Sequence, residues 1–135
     1  MNAVDTNVLL YVHDPRDAVK QATAAALVQS LTNAALLWQV ACEYIAASRK
    51  FEPLGFRRQD AWNELRTLQS AWTLILPEWK HLRTAESLLA SHSLSFWDAL
   101  LIAVAAESGV TTLYSEDFGG LPPIDSLTIV NPFAP

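Results

Sequence analysis

The chain has 135 residues, of which 51% are hydrophobic and 17% charged, and its formal net charge is −5. This composition excludes an intrinsically disordered chain and predicts one domain, residues 1–135, that buries most of its apolar surface. No apolar run reaches the roughly 18 residues that span a bilayer. The single cysteine, Cys42, excludes an internal disulfide, and no secretory signal is visible, so we expect a cytoplasmic protein.

Short apolar strands alternate with helices along the chain. The predicted elements are a strand at 2–5, helices at 8–11 and 16–32, a strand at 36–38, helices at 39–50 and 57–71, a strand at 73–76, helices at 78–92 and 96–108, and strands at 111–114 and 127–130. Strands that are apolar without alternation, and that are separated by helices, are typical of a parallel sheet covered on both faces. The predicted class is therefore α/β, and ligands of such folds bind beyond the carboxyl ends of the strands.

Four acids emerge from these core-forming segments, far apart in sequence. Asp5 ends the first strand and Asp117 follows the strand at 111–114, so both lie at the edge where ligands bind. Glu43 and Asp98 lie on the apolar faces of their helices. Carboxylates are rarely buried unless they are paired or bound to a metal, which predicts that the four converge on a divalent cation.

Each acid also has a purely structural explanation. Asp5 fits a helix N-cap, although Thr6 and Asn7 are equally good capping residues. Ser95 and Asp98 fit a capping box, which would still leave a carboxylate oxygen of Asp98 for a metal. A glutamate at the edge of an apolar stripe can reach water, as Glu43 would, and Asp117 lies in a turn-forming segment with two glycines.

The donor set consists of hard oxygen ligands, which favours Mg²⁺ or Mn²⁺. The histidines share no spacing with each other or with the acids, and we predict that they are surface or partly buried residues. They are His13, His81 and His92.

Four segments resemble the acidic motifs of PIN domains, in the same order along the chain. They are residues 5–11 (DTNVLLY), 39–44 (QVACEY), 96–105 (FWDALLIAVA) and 113–118 (LYSEDF). A chain of this length looks most like the VapC toxins of bacterial and archaeal type II toxin–antitoxin pairs. The resemblance implies a three-layer α/β/α sandwich with a central parallel sheet of four to five strands. It also implies a Mg²⁺- or Mn²⁺-dependent endoribonuclease, a homodimer and a cognate antitoxin.

The resemblance assigns roles to particular residues. The acidic site that would hold the metal and catalyse cleavage consists of Asp5, Glu43, Asp98 and Asp117. The polar neighbours that would orient ligands or water are Thr6, Asn7 and Ser115. Glu116 lies beside Asp117 and would support the site. Alternation puts the two side chains on different sides of an extended chain, and the S-x-D spacing favours Asp117 as the acid of the fourth motif. Four carboxylates are compatible with one or two metal ions.

A net charge of −5 argues against broad attraction to nucleic acid, but the four positive charges of two divalent cations would reduce it to −1. A candidate phosphate-binding cluster consists of Arg49, Lys50, Arg57 and Arg58. For Arg49 and Lys50 the alternative is a solvated helix end, where cations suit the helix dipole. Attack by water, leaving the ribose 2′-hydroxyl unused, predicts 5′-phosphate and 3′-hydroxyl ends. The alternative function is a PIN-like module that binds RNA or a partner without cleavage.

Overall fold

The fold is built from five strands and six α-helices, described by a computed structural model that covers residues 1–135. The strands are β1 (Asn2–Val4), β2 (Ala34–Leu37), β3 (Thr73–Ile75), β4 (Thr112–Tyr114) and β5 (Thr128–Val130). The helices are α1 (Thr6–Tyr11), α2 (Ala18–Ser30), α3 (Trp38–Ala47), α4 (Arg58–Ala71), α5 (Trp79–Ser91) and α6 (Phe96–Glu107). A 3-10 helix, Ser48–Leu54, connects α3 to α4.

All five strands are parallel and form one sheet in the order β3-β2-β1-β4-β5. On one side α1 contacts α2 and α3, and α3 contacts α4, whereas α5 and α6 pack as a pair. All four residues of β2 are buried, because helices cover the sheet on both faces. The predicted α/β/α sandwich with a parallel sheet is confirmed. None of the helices is long and apolar enough to span a bilayer.

The topology brings three strand ends to one place. β1 is the central strand, with Ala3 paired to Ala35 of β2 and Val4 paired to Tyr114 of β4. The amide of Asp5 continues this ladder by donating to the Tyr114 carbonyl at 2.8 Å. Because the chain adds β2 on one side of β1 and β4 on the other, this edge is a switch point of the kind where α/β folds bind ligands.

Several local predictions are wrong. Trp38 begins α3 instead of ending β2, and α3 ends at Ala47 instead of residue 50. The chain then tightens into the 3-10 helix, which closes at Gly55, whose φ of +95° suits a residue without a Cβ. His81, predicted to be at or near the surface, is only 1% exposed, and its Nδ1 accepts the Glu78 amide at 2.8 Å at the start of α5.

Candidate active site

Asp5 lies at the junction of β1 and α1 and is only 6% exposed. Its Oδ1 accepts a hydrogen bond from the Thr6 amide at 2.7 Å, so Asp5, and neither Thr6 nor Asn7, is the N-cap of α1. Its Oδ2 accepts a hydrogen bond from the Ser115 hydroxyl at 2.8 Å. One carboxylate therefore starts the first helix and also joins the end of β1 to the segment that follows β4.

Ser115 and Asn7 connect Asp5 to the fourth acidic motif. Ser115 Oγ accepts the Asp117 amide at 3.0 Å and the Asn7 side-chain amide at 3.3 Å. The same Asn7 Nδ2 donates to Asp117 Oδ2 at 3.2 Å. Asn7 Oδ1 is buried and has no hydrogen-bond partner. The site thus contains a buried oxygen whose capacity to accept a hydrogen bond or a cation is unused.

Glu43 joins this network from α3. Its Oε2 accepts the Thr6 hydroxyl at 2.8 Å, and its Oε1 accepts the side-chain amide of Gln39 at 2.8 Å. Gln39 Nε2 also donates to the Trp97 carbonyl at 3.0 Å, which connects α3 to the start of α6. Our sequence reasoning gave no role to Gln39. Its position four residues before Glu43 on one helix face is the signal that could have identified it.

Asp98 lies in the first turn of α6, where Ser95 Oγ accepts its amide at 3.1 Å and caps the helix. Only this half of the predicted capping box forms, since no hydrogen bond reaches the Asp98 carboxylate. The Gln39–Trp97 bond places the residue before Asp98 beside Glu43. The structure therefore joins Asp5, Glu43 and Asp117 in one hydrogen-bonded network and leaves the Asp98 carboxylate outside it, at its border.

Glu116 turns away from Asp117. Its Oε1 accepts the Tyr11 hydroxyl at 2.7 Å, and its Oε2 pairs with Lys20 Nζ at 2.9 Å. Burial works against the ionised form of Glu116, but the hydrogen bonds from Tyr11 and Lys20 outweigh it and lower its pKa. The sequence contains no local signal for Lys20, because it is 96 residues from Glu116.

The electrostatics of the site are set mainly by the burial of Asp5, and the neighbouring carboxylates add to its effect. Burial raises the pKa of Asp5 to about 6. The hydrogen bonds from Ser115 and Thr6 oppose this rise, and the carboxylates of Asp117 and Glu43 add to it. A buried carboxylate beside two others is unfavourable when ionised, and a cation would relieve that cost.

The residues present fit a hard divalent cation in their chemistry. Carboxylate oxygens and the unpartnered Asn7 Oδ1 are the ligands that Mg²⁺ and Mn²⁺ prefer. The carboxylates are too far apart to bind one ion together, since no group of three or more acid, histidine or cysteine side chains is arranged to hold a metal. Closing the site would require the carboxylates to move toward one another.

The PIN domain family model matches residues 3–119 of the chain. Because the match covers nearly all of it, the chain belongs to the PIN domain family. No curated protein matches it in sequence.

Solved structures share the fold. A toxin–antitoxin complex from Klebsiella pneumoniae matches with a TM-score of 0.70 and 19% identity, over 98% of both chains. Mycobacterium tuberculosis VapC20, described as a toxin that cleaves the sarcin–ricin loop, matches with a TM-score of 0.69 and 18% identity, over 93% of this chain and 98% of its own. VapBC2 from Rickettsia felis, bound to a DNA fragment of its promoter, matches with a TM-score of 0.66 and 16% identity, over 96% of this chain and 97% of its own.

Proposed function

We propose that the protein is a Mg²⁺- or Mn²⁺-dependent endoribonuclease, and the toxin of a type II toxin–antitoxin pair. The observation that carries the nuclease proposal is the network of Asp5, Glu43 and Asp117 at the carboxyl edge of the sheet, in a chain of the PIN domain family. The toxin proposal is supported by solved structures of the same fold, which come from toxin–antitoxin systems.

In this proposal the cation is held by Asp5, Asp98 and the carboxylates beside them. When bound, it supplies Lewis-acid activation and offsets negative charge at the phosphate. Both oxygens of Glu43 already accept hydrogen bonds, whereas Asp117 accepts only one, at Oδ2. Asp117 therefore has the free oxygen needed to take the proton of an attacking water. Attack by water leaves a 5′-phosphate and a 3′-hydroxyl.

The direct test is incubation of the purified protein with total RNA and Mg²⁺ or Mn²⁺. We expect discrete fragments with 5′-phosphate ends, and none when EDTA is added. Intact RNA under every condition, from folded protein freed of any partner, would contradict the proposal and favour the module that binds without cleavage.

The RNA backbone needs cations to hold it, and three of the four basic candidates form no ion pair, although Lys50 Nζ lies 5.4 Å from the centroid of the Phe51 ring. Arg57 is paired with Asp60 at 3.4 Å, but Arg49 and Arg58 form no ion pair and line a cleft of about 320 Å³ together with Trp62. Arg49 lies six residues after Glu43, in the 3-10 helix that continues from α3. We propose that this cleft binds phosphates of the RNA strand and stacks a base on Trp62.

Replacing both Arg49 and Arg58 with alanine should raise the KM for RNA at least about tenfold, because two phosphate contacts are lost. The slope of log K for RNA against log salt concentration should also become shallower, by about one for each lost contact. We expect kcat to stay close to the wild-type value, since neither residue touches the acids. Arg83→Ala, which removes an exposed arginine from α5, is the matched control. An unchanged KM in the double variant would remove the cleft from the RNA path.

We also propose that the protein pairs with an antitoxin and forms a homodimer. Large apolar side chains are exposed around two adjoining grooves that share Trp38, and they include Leu74, Leu76 and Trp97. The first groove has a volume of about 280 Å³ and the second about 170 Å³. Exposed apolar surface of this kind is covered by a partner in many proteins, and we assign this one to an apolar segment of the antitoxin. Light scattering of the free protein tests the homodimer, and co-purification with the product of an adjacent gene tests the antitoxin.

A further inference from the structure

Glu116 is held by two side chains that lie far from it in sequence, and a third side chain packs against those two. Lys20 Nζ donates to Glu116 Oε2 at 2.9 Å and to the Tyr11 hydroxyl at 3.2 Å, and Tyr11 donates to Glu116 Oε1 at 2.7 Å. Phe133 packs on the edge of Tyr11 with ring centroids 5.0 Å apart, and Lys20 Nζ lies 5.6 Å from the centroid of the Phe133 ring. We call these four residues, Tyr11, Lys20, Glu116 and Phe133, the Glu116 clamp.

The clamp lies directly beside a weakly held acid of the candidate site. The Asp117 carboxylate has one hydrogen-bond partner, Asn7, at the long distance of 3.2 Å. Phe118, which follows, has a φ of +67°, a conformation that a non-glycine side chain rarely adopts, and two glycines come next. Short side-chain hydrogen bonds precede this turn: those of Glu116, at 2.7 and 2.9 Å, and the one from Ser115 to Asp5, at 2.8 Å.

We propose that Lys20 is a positioning residue, which acts through Glu116 to hold the Asp117 carboxylate toward Asn7 and Ser115. Glu116 and Asp117 are neighbours in the bend that follows β4, so fixing Glu116 restrains the backbone from which the Asp117 side chain projects. The role of Asp117 rests on the function proposed above, but the contacts that hold the turn do not.

The Lys20–Glu116 ion pair is expected to matter more for the position of Asp117 than for the stability of the fold. The side chains of Lys20 and Glu116 are 33% and 25% exposed, and partly exposed ion pairs contribute little to the stability of a fold. A misplacement of about 1 Å at a reacting group, in contrast, can lower a rate by roughly 100-fold. Loss of the clamp should therefore affect the turn and the reaction far more than the melting temperature.

The test compares Lys20→Met, which keeps the length of the side chain and removes its charge, with Lys20→Arg, which restores the charge. Lys80→Met is the matched control, because Lys80 forms an exposed ion pair with Glu78 on α5, away from the turn. Three experiments are made on each variant: hydrogen–deuterium exchange of residues 115–121 without metal, Mn²⁺ affinity by calorimetry, and steady-state kinetics that give kcat and KM for RNA.

For Lys20→Met we expect exchange in this segment to become about tenfold faster, since local opening governs exchange. Mn²⁺ affinity should fall several-fold and kcat about 10-fold to 100-fold, with KM unchanged. Lys20→Arg should recover most of each loss, and Lys80→Met should match the wild type. Exchange equal to the wild type would overturn the proposal, and so would a rise in KM alone, which would mean that Lys20 contacts RNA. If the wild type neither cleaves RNA nor binds Mn²⁺, the proposed function fails, while the exchange rates still decide whether Lys20 holds the turn.

Discussion

Replacing Asp5 with asparagine should reduce RNA cleavage by at least about 100-fold and, at neutral pH, should make the metal-free protein more stable. The loss of activity is expected because the substitution removes the most deeply placed negative charge of the candidate metal site, and removal of one stabilising group of a reaction centre has effects of this size. The gain in stability is expected because that charge is unfavourable when no cation is bound.

The size of the stability change depends on pH. The pKa of Asp5 is raised from 3.8 to about 6, so the folded protein binds more protons than the unfolded chain between these values. Stability therefore falls as pH rises through this window, by about 3 kcal/mol for a shift of roughly two units. Asparagine avoids this cost, but it satisfies only one of the two donors, Thr6 and Ser115, which costs about 1 kcal/mol.

The two stability curves should therefore converge as the pH falls. Asp5→Asn should be the more stable protein at pH 7.5, and the difference should largely vanish below about pH 4, where Asp5 is neutral and, like asparagine, has one full acceptor. Acids whose pKa is lowered, such as Asp14 and Asp60, are present in both proteins and cancel in the difference. Denaturant unfolding at both pH values, with EDTA present, measures the difference. A wild type that is the more stable at both pH values would mean that the buried charge of Asp5 does not destabilise the metal-free protein.

Asp98→Asn should also reduce cleavage by at least about 100-fold, but its effect on the fold should be small. Ser95 binds the backbone amide of Asp98 and leaves its carboxylate without a hydrogen bond, so the amide side chain removes a charge and no native contact. We expect a change in the free energy of unfolding within about 0.5 kcal/mol, as for surface substitutions in general.

The matched control for Asp98→Asn is Asp125→Asn. Asp125 is exposed in the loop before β5, and its φ of +51° is one that asparagine tolerates well. RNA cleavage at equal protein concentration and thermal unfolding are compared for the two variants. Cleavage by Asp98→Asn at the wild-type rate would exclude Asp98 from the site.

The sheet could be predicted because its signal is local. Short apolar strands without alternation and the helices between them are sufficient to indicate a parallel sheet, and they placed Asp5 and Asp117 at one edge. The boundaries were harder to predict where two patterns compete. Leu37 and Trp38 both suit a strand, but Trp38 is taken into α3, where it is 54% exposed.

The candidate site could be predicted only in part, because half of its contacts are not local. The acids were identified from their positions on core segments, and the part of Asp5 in capping follows from where its strand ends. The bond from Thr6 to Glu43 and the pair of Lys20 with Glu116 depend on how distant segments pack, and no spacing in the sequence encodes them. The sequence leaves the choice between Glu116 and Asp117 open. In the structure, Glu116 is bonded to Tyr11 and Lys20, whereas Asp117 is bonded to Asn7.

The most direct measurement of the central claim is the anomalous diffraction of crystals grown with Mn²⁺. The account predicts an anomalous peak at the carboxyl edge of the sheet, with carboxylate oxygens of Asp5 and Asp98 as ligands, and Glu43 or Asp117 drawn closer than in the metal-free protein. A map without a peak at this edge, from crystals soaked at saturating Mn²⁺ and neutral pH, would contradict the account. So would a cation bound by Glu116 instead of Asp5.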